Sequence, residues 1–219
     1  MLSSFCRCRS ITLKSELEFI VQFSKTYYSR QWMAATAGNL SVISEDRNSF
    51  FVTASGKDKG SLTPEDFLEV ALSDGKPVGA AGLKPSAETS IHTAVYSSLK
   101  SVGAILHVHT VASCIPVFGL TRSRNSTYVP LPNTEILKAF GDFTEEPNFK
   151  MLVIHNFASV PEISKILSTE LQLKDQDVPF FLIENHGLTV WGKDVKDANK
   201  NLEAAEFVMQ VFAARNRLF

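Results

Sequence analysis

Cysteine is scarce in this chain. Of 219 residues only Cys6, Cys8 and Cys114 are cysteines. The number is odd, and the first two stand too close together for an ordinary structural bridge. A disulfide framework is therefore excluded, and a reducing, cytoplasmic setting is expected. Long apolar runs are missing as well: no stretch of about 18 apolar residues is available to span a bilayer, and Met1 to Ser10 lacks the apolar core of a secretory signal. Nor is there an excess of one charge. Lys and Arg total 22 against 23 Asp and Glu, a net charge of −1, so the basic surplus needed for general nucleic-acid or membrane-surface binding is absent. An anionic ligand would have to meet a local basic patch. Repeats and long linkers are also lacking. What remains, 44% hydrophobic and 21% charged residues, fits one globular domain over residues 12–219. It is preceded by a Ser/Arg-rich, acid-free segment, residues 1–11, expected to be a disordered, frayed end rather than a transit peptide.

The apolar spacing predicts alternating helices and strands. Thr12 can cap a helix carrying Leu13, Leu17, Ile20, Val21 and Tyr27 toward Trp32, broken at Ala37-Gly38-Asn39. A strand is predicted at 49–53, a helix start at Thr63-Pro64 and a second strand at 67–72. A helix over 87–99 follows, with Ser86 as its cap and Glu88 in its first turn. A buried strand at 103–109, a short helix at 111–118, a polar loop, a helix near 133–140, a strand at 151–155 and a helix at 159–171 come next. Two strands, 178–184 and 188–191, flank the tight turn Asn185-His186-Gly187. A last helix carries Ala198, Leu202, Ala205, Met209 and Phe212. Interleaved elements of this kind indicate an α/β layered domain, and the closing hairpin argues for a mixed sheet.

His107 and His109 are two apart in an extended segment, so both rings point the same way and can reach one ion. His186 lies at a strand end, where sheet sites are commonly built. Three neutral nitrogen ligands describe a catalytic divalent site, zinc first by ligand preference, although iron, cobalt, nickel and manganese accept the same donors. A lone H-x-H also fits two imidazoles on a half-buried strand. Three further segments suit an anion: Ala37-Gly38-Asn39, Thr53-Ala54-Ser55-Gly56-Lys57 and Lys84-Pro85-Ser86, each rich in hydroxyl, amide or main-chain donors. Lys57, Lys59 and Lys84 can supply compensating charge. Each segment alone is also an ordinary turn. Beside a metal triad, together they indicate a phosphorylated substrate.

The order G-N-L-S, T-x-S-G, K-P-S-x-E, H-x-H and H-G, running from about Phe19 to Phe212, resembles the class II (metal-dependent) aldolase, epimerase and adducin-head superfamily. Within it, Ser55-Gly56-Lys57-Asp58-Lys59-Gly60, Lys84-Pro85-Ser86-Ala87-Glu88-Thr89 and Glu135-Ile136-Leu137-Lys138 are most similar to the methylthioribulose-1-phosphate dehydratase family of methionine salvage. The resemblance implies a three-layer α/β/α sandwich with a mixed, largely antiparallel central sheet. It also implies a homotetramer with active sites near subunit interfaces. It makes His107, His109 and His186 the ligands of one Zn2+, and Gly38, Asn39, Ser55, Gly56 and Ser86 the phosphate cradle, with Lys59 helping. Glu135 matches the dehydratase's general acid/base, and Glu88 the carboxylate that serves as acid/base in the aldolases. Ala37 departs from the family's common Ser and removes one side-chain donor. The implied reaction is loss of water from a phosphorylated ketose: a proton leaves C3, the C4 hydroxyl departs and a 2,3-diketone phosphate remains. An aldolase or 4-epimerase would use the same centre. An adducin-head-like binding module shares the fold but need not keep three histidines.

Other residues read more plainly. Glu88 in a helix's first turn is electrostatically favourable without any catalytic role, and Glu135 also suits a solvated helix position. His92, four residues after Glu88, reads as a local pair or packed imidazole. His155 matches no ligand position, and Cys114 and Trp191 read as core.

Overall fold

A computed structural model describes residues 12–79 and 82–216; the expectation for residues 1–11 lies outside them. The chain forms five α-helices and eight strands among the described residues: α1 (Leu13–Ser29), β1 (Asn39–Ile43), β2 (Ser49–Thr53), β3 (Phe67–Ala71), α2 (Thr89–Ser98), β4 (Ala104–Val108), α3 (Val111–Cys114), β5 (Ser126–Pro130), β6 (Lys150–Ile154), α4 (Val160–Leu173), β7 (Phe180–Ile183), β8 (Gly187–Gly192) and α5 (Val195–Asn216). The strands make one sheet in the order β3-β2-β1-β4-β8-β7-β6-β5. Every neighbouring pair is antiparallel except β6 and β7. The expected mixed, largely antiparallel sheet is therefore present.

Alternation along the strands sorts two cores, one on each face. Leu40, Leu106, Val108, Leu188 and Val190 pack with α1 and α5 residues such as Ile20, Leu202 and Met209. Ile105, Phe181, Ile183 and Trp191 pack with Ile91 and Val95 of α2 and Ile163 and Leu167 of α4. Three layers result, helices over both faces of a sheet. Trp191 is core, as read.

Several elements differ from expectation. Two strands carry no clear signal in the sequence. In β1, Asn39 and Ser41 are as buried as Leu40, so its polar half disguises a central strand. In β5 the side chains are half-exposed and the strand ends at Pro130, an edge position where proline is tolerated. Helix α3 stops at Cys114 instead of continuing to 118, because Pro116 brings no N–H to extend the helical ladder. The helix expected near 133–140 is a 3-10 helix, Glu135–Phe140, closed by left-handed Gly141. The Thr63-Pro64 signal likewise starts only a 3-10 turn, Pro64–Asp66.

Helix α2 begins at Thr89, two residues later than its predicted start, and its N-cap position is Glu88, not Ser86. Pro85 is drawn into an extended bridge with Ala54, which keeps the chain out of the helix until after Ser86. The Ser86 hydroxyl instead accepts from the Glu88 N–H at 3.3 Å.

Candidate metal centre and anion cradle

Register places the centre. Asn39 of β1 pairs with His107 of β4, and His107 pairs with Thr189 of β8. All three lie in one row on the α2/α4 face, with Ile105 and Trp191 in the next row. His109 continues the alternation one residue past β4, its N–H held by the Trp32 carbonyl at 2.9 Å. His186 enters from the turn between β7 and β8, where Asn185 adopts φ +56°. Gly187 is required there, since a Cβ would lie 2.2 Å from the Val108 carbonyl oxygen. Gly38 is equally constrained: its φ is +78°, and a Cβ would stand 2.7 Å from the His107 carbonyl oxygen. The backbone can thus approach β4 only as glycine.

Glu88, His107, His109 and His186 offer four ligand atoms that all lie within 4.8 Å of one another. Glu88 Oε1 is 2.8 Å from His186 Nε2, 3.4 Å from His107 Nε2 and 3.8 Å from His109 Nε2. His107 Nε2 and His109 Nε2 are 2.9 Å apart. The outer nitrogens decide what these atoms carry. His107 Nδ1 donates to the Leu188 carbonyl, with Thr189 Oγ1 also at 2.9 Å. A carbonyl can only accept, so neutral His107 keeps its lone pair on Nε2. His186 Nδ1 faces Asn156 Oδ1 at 3.2 Å, which leaves the Nε2 lone pair turned inward there too. Electron pairs that would repel one another converge, a donor set suited to a cation. Burial pushes the Glu88 carboxyl up, but the imidazoles around it, His107 foremost, outweigh that and hold it well below the carboxylate range. Glu88 is thus ionised at the centre. Burial pulls His109 down from its ordinary value, partly offset by its hydrogen bond with Glu88, which favours the neutral form a metal ligand requires.

Three loops converge beside this cluster. Asn39 Nδ2 donates to Glu88 Oε2 and lies 3.3 Å from Ser86 Oγ. The Ala54–Pro85 bridge, extended by Ser55 N–H to the Lys84 carbonyl at 2.8 Å, aligns Ser55-Gly56 with Lys84-Pro85-Ser86. Lys59 is 1% exposed, and its ammonium donates to the Thr36 and Lys57 carbonyls at 2.7 and 3.0 Å. It fastens the Gly38 loop to the Gly56 loop and adds a buried positive charge. Burial lowers its pKa, opposed by the charges of Glu88 and Asp58. Lys57 is taken up by Asp66 at 2.8 Å.

Glu135 is not brought to the cluster within this chain. Its side chain is 83% exposed and paired with Lys138 at 2.6 Å. It borders a groove with Phe207, Val211 and Arg215 of α5, on the other side of the sheet from the histidines. His92 is a packed imidazole bonded to Ser41, not to Glu88. Cys114 is half-buried, not core, with its Sγ 3.4 Å from the His186 carbonyl oxygen. Asn156, Thr189 and the Leu188 carbonyl have no signature in the sequence. Asn156 follows His155 with no motif of its own, and a carbonyl leaves no compositional trace.

Comparison with known proteins agrees with this geometry. A methylthioribulose-1-phosphate dehydratase from Leptospira biflexa is 47% identical over 93% of this chain and 99% of its own length. One from Geobacillus thermodenitrificans is 40% identical, over 91% and 90%. Among solved structures, Escherichia coli YgbL, a putative aldolase/epimerase/decarboxylase, superposes with a TM-score of 0.72 at 25% identity, covering 90% of this chain and 88% of YgbL. The l-fuculose-1-phosphate aldolase of Thermus thermophilus shares the fold with a TM-score of 0.69 at 23% identity, covering 93% and 94%. The model of the class II aldolase and adducin N-terminal domain matches residues 18–213, and this chain belongs to that family.

Proposed function

We propose that this protein is a methylthioribulose-1-phosphate dehydratase, a cytoplasmic hydro-lyase of methionine salvage that takes 5-methylthioribulose 1-phosphate to 2,3-diketo-5-methylthiopentyl 1-phosphate. The observation that carries the reading is the convergence of Glu88, His107, His109 and His186 beside the loops of Asn39, Ser55 and Ser86, in a chain 40–47% identical to dehydratases of that name. His107, His109 and His186 would hold one Zn2+. Bound there, the ion supplies Lewis-acid polarisation of the substrate carbonyl and acidifies the adjacent C–H.

The chain's own residues supply the rest. Gly38, Asn39, Ser55, Gly56 and Ser86, with the charge of Lys59 behind them, receive the phosphate and set the sugar's register. A carboxylate removes the C3 proton, and the C4 hydroxyl leaves with a proton returned to it, so one water departs and the enol relaxes to the diketone. Glu135 is the main acid/base and Glu88 its support at the centre. Since Glu135 lies on the α5 side of its own subunit, it serves a centre of a second copy in a homo-oligomer, a tetramer by family analogy. Its exposure and the exposed Phe207 at 48% beside it support that placement. No described helix is long and apolar enough to cross a membrane.

Proton NMR of zinc-loaded protein with 5-methylthioribulose 1-phosphate tests the reading. Loss of the C4 carbinol signal with wild type, and little or none with Glu135→Gln, is the expected result. Unchanged substrate at full metal occupancy overturns it in favour of aldolase or epimerase chemistry.

A further inference from the structure

Behind the candidate centre lies a buried polar chain that the reaction above does not use. His92 and Tyr96, one turn apart on α2, are fully buried. Tyr96 Oη lies 2.9 Å from Ser41 Oγ, which lies 2.6 Å from His92 Nδ1. The hydrogens can be placed in three ways, and if both Tyr96 and His92 Nδ1–H donate to Ser41, the serine hydrogen has no acceptor and the Nε2 lone pair no donor. If Ser41 donates to Tyr96 and His92 Nδ1–H to Ser41, the phenolic hydrogen has no acceptor and the Nε2 lone pair has no donor. If Tyr96 donates to Ser41 and Ser41 to Nδ1, every group is satisfied except Nε2–H. An unpaired buried polar group is costly, so the last arrangement holds, with one group left over. Burial also pulls His92 down to about 3, so the ring is neutral with a single N–H.

Two atoms are left over on the same face. Among the described residues, His92 Nε2 and Asn39 Oδ1 are both buried without a hydrogen-bond partner; one is a donor and the other an acceptor. Asn39 and Ser41 are alternate residues of β1, so both face α2. Both Glu88 oxygens are already committed, Oε2 to the Asn39 amide and Oε1 to the imidazole cluster, 2.8 Å from His186 Nε2. We propose that His92 is a positioning residue whose Nε2–H, through one buried water, holds Asn39 Oδ1 and locks that amide with its NH2 toward Glu88 and Ser86. A buried water needs two or more polar partners, and this pair supplies them. With the amide reversed, Oδ1 would face the Glu88 carboxylate and Ser86 would lose its donor. Tyr96, Ser41 and His92 thereby set the carboxylate and the phosphate-side serine together.

The kinetic consequence rests on the dehydratase reading, whereas the geometry does not, and the experiment separates them. Long-range proton–nitrogen NMR of the imidazoles, with His92 assigned by its loss in His92→Gln, should show the Nε2–H tautomer in wild type; an Nδ1–H tautomer overturns the proposal. The Asn39 side-chain amide protons should be sharp and slowly exchanging in wild type and broadened in His92→Leu; unchanged signals overturn it. In turnover of 5-methylthioribulose 1-phosphate by metal-loaded protein, His92→Leu should lower kcat/KM about ten- to a hundredfold. His92→Gln, which keeps an N–H at that end, should recover most of the loss. Equal losses in both variants at equal metal content also overturn the proposal. Wild-type protein that leaves this substrate untouched would reject the dehydratase reading while both NMR readouts still stand.

Discussion

At the scale of single residues, the candidate metal site depends on which nitrogen carries hydrogen. His107 is the most constrained candidate ligand, buried, with Nδ1 committed to the Leu188 carbonyl and Thr189. His107→Ala should abolish retention of a divalent ion through gel filtration, read as metal per chain by elemental analysis. Thr189→Val leaves the carbonyl partner and should weaken affinity by roughly tenfold. A second consequence concerns pH. His92 titrates near 3 in the fold against about 6.5 unfolded, so below about 6.5 the unfolded chain binds a proton that the fold refuses. This stability is fully present at neutral pH and lost as pH falls toward 3, at about 1.4 kcal/mol per unit. Urea unfolding at pH 7 and pH 4.5 should show wild type losing about 2–3 kcal/mol more than His92→Gln over that interval. Equal losses would mean that the ring is protonated in the fold. The ligand residues are legible in the sequence because spacing alone aligns His107 with His109. Their second partners are not, since a carbonyl from β8 reaches His107 only through strand pairing.

At the scale of elements, the β4–β8 pair carries the centre, and glycines decide how closely its parts approach. Gly187→Ala would drive a methyl into the Val108 carbonyl, at 2.2 Å. Neither atom can move without breaking the pairing of Val108 with Leu188. The expected cost is on the order of 3–5 kcal/mol, measured by urea unfolding, with metal retention lost as well. Gly56→Ala, at an exposed turn with open space around it but φ +74°, should cost only about 1 kcal/mol. The helices α1, α4 and α5 and strands β2, β4 and β7 are readable because apolar periodicity and burial coincide there. β1 is not, because Asn39 and Ser41 put polarity on a buried face. The start of α2 is displaced from its sequence signal for a related reason. Glu88 occupies the cap position with its carboxylate turned into the imidazole cluster, so the usual capping signal at Ser86 falls in the loop before the helix.

At the scale of the whole molecule, Glu135 and the histidines lie on opposite sides of the sheet, a separation that spacing along the chain cannot reveal. The motif order identifies both groups of residues, but which face each occupies follows from the packing of Leu137 and Phe140 against the α5 side. The exposed groove beside Glu135 joins Ile136, Phe207, Val211 and Arg215, an apolar floor with charged edges of the kind that subunit contacts cover. If catalysis joins Glu135 of one copy to the imidazoles of another, two inactive variants should complement each other. His107→Ala lacks the metal centre but keeps Glu135, whereas Glu135→Gln keeps the centre but lacks the carboxylate. Mixed by co-expression and isolated through two different tags, they should form oligomers that regain roughly a quarter of wild-type turnover: with random mixing, about one centre in four pairs an intact triad with an intact Glu135. Turnover no higher than that of either variant alone, in oligomers shown by mass spectrometry to contain both, would place Glu135 in its own subunit's chemistry or outside the reaction.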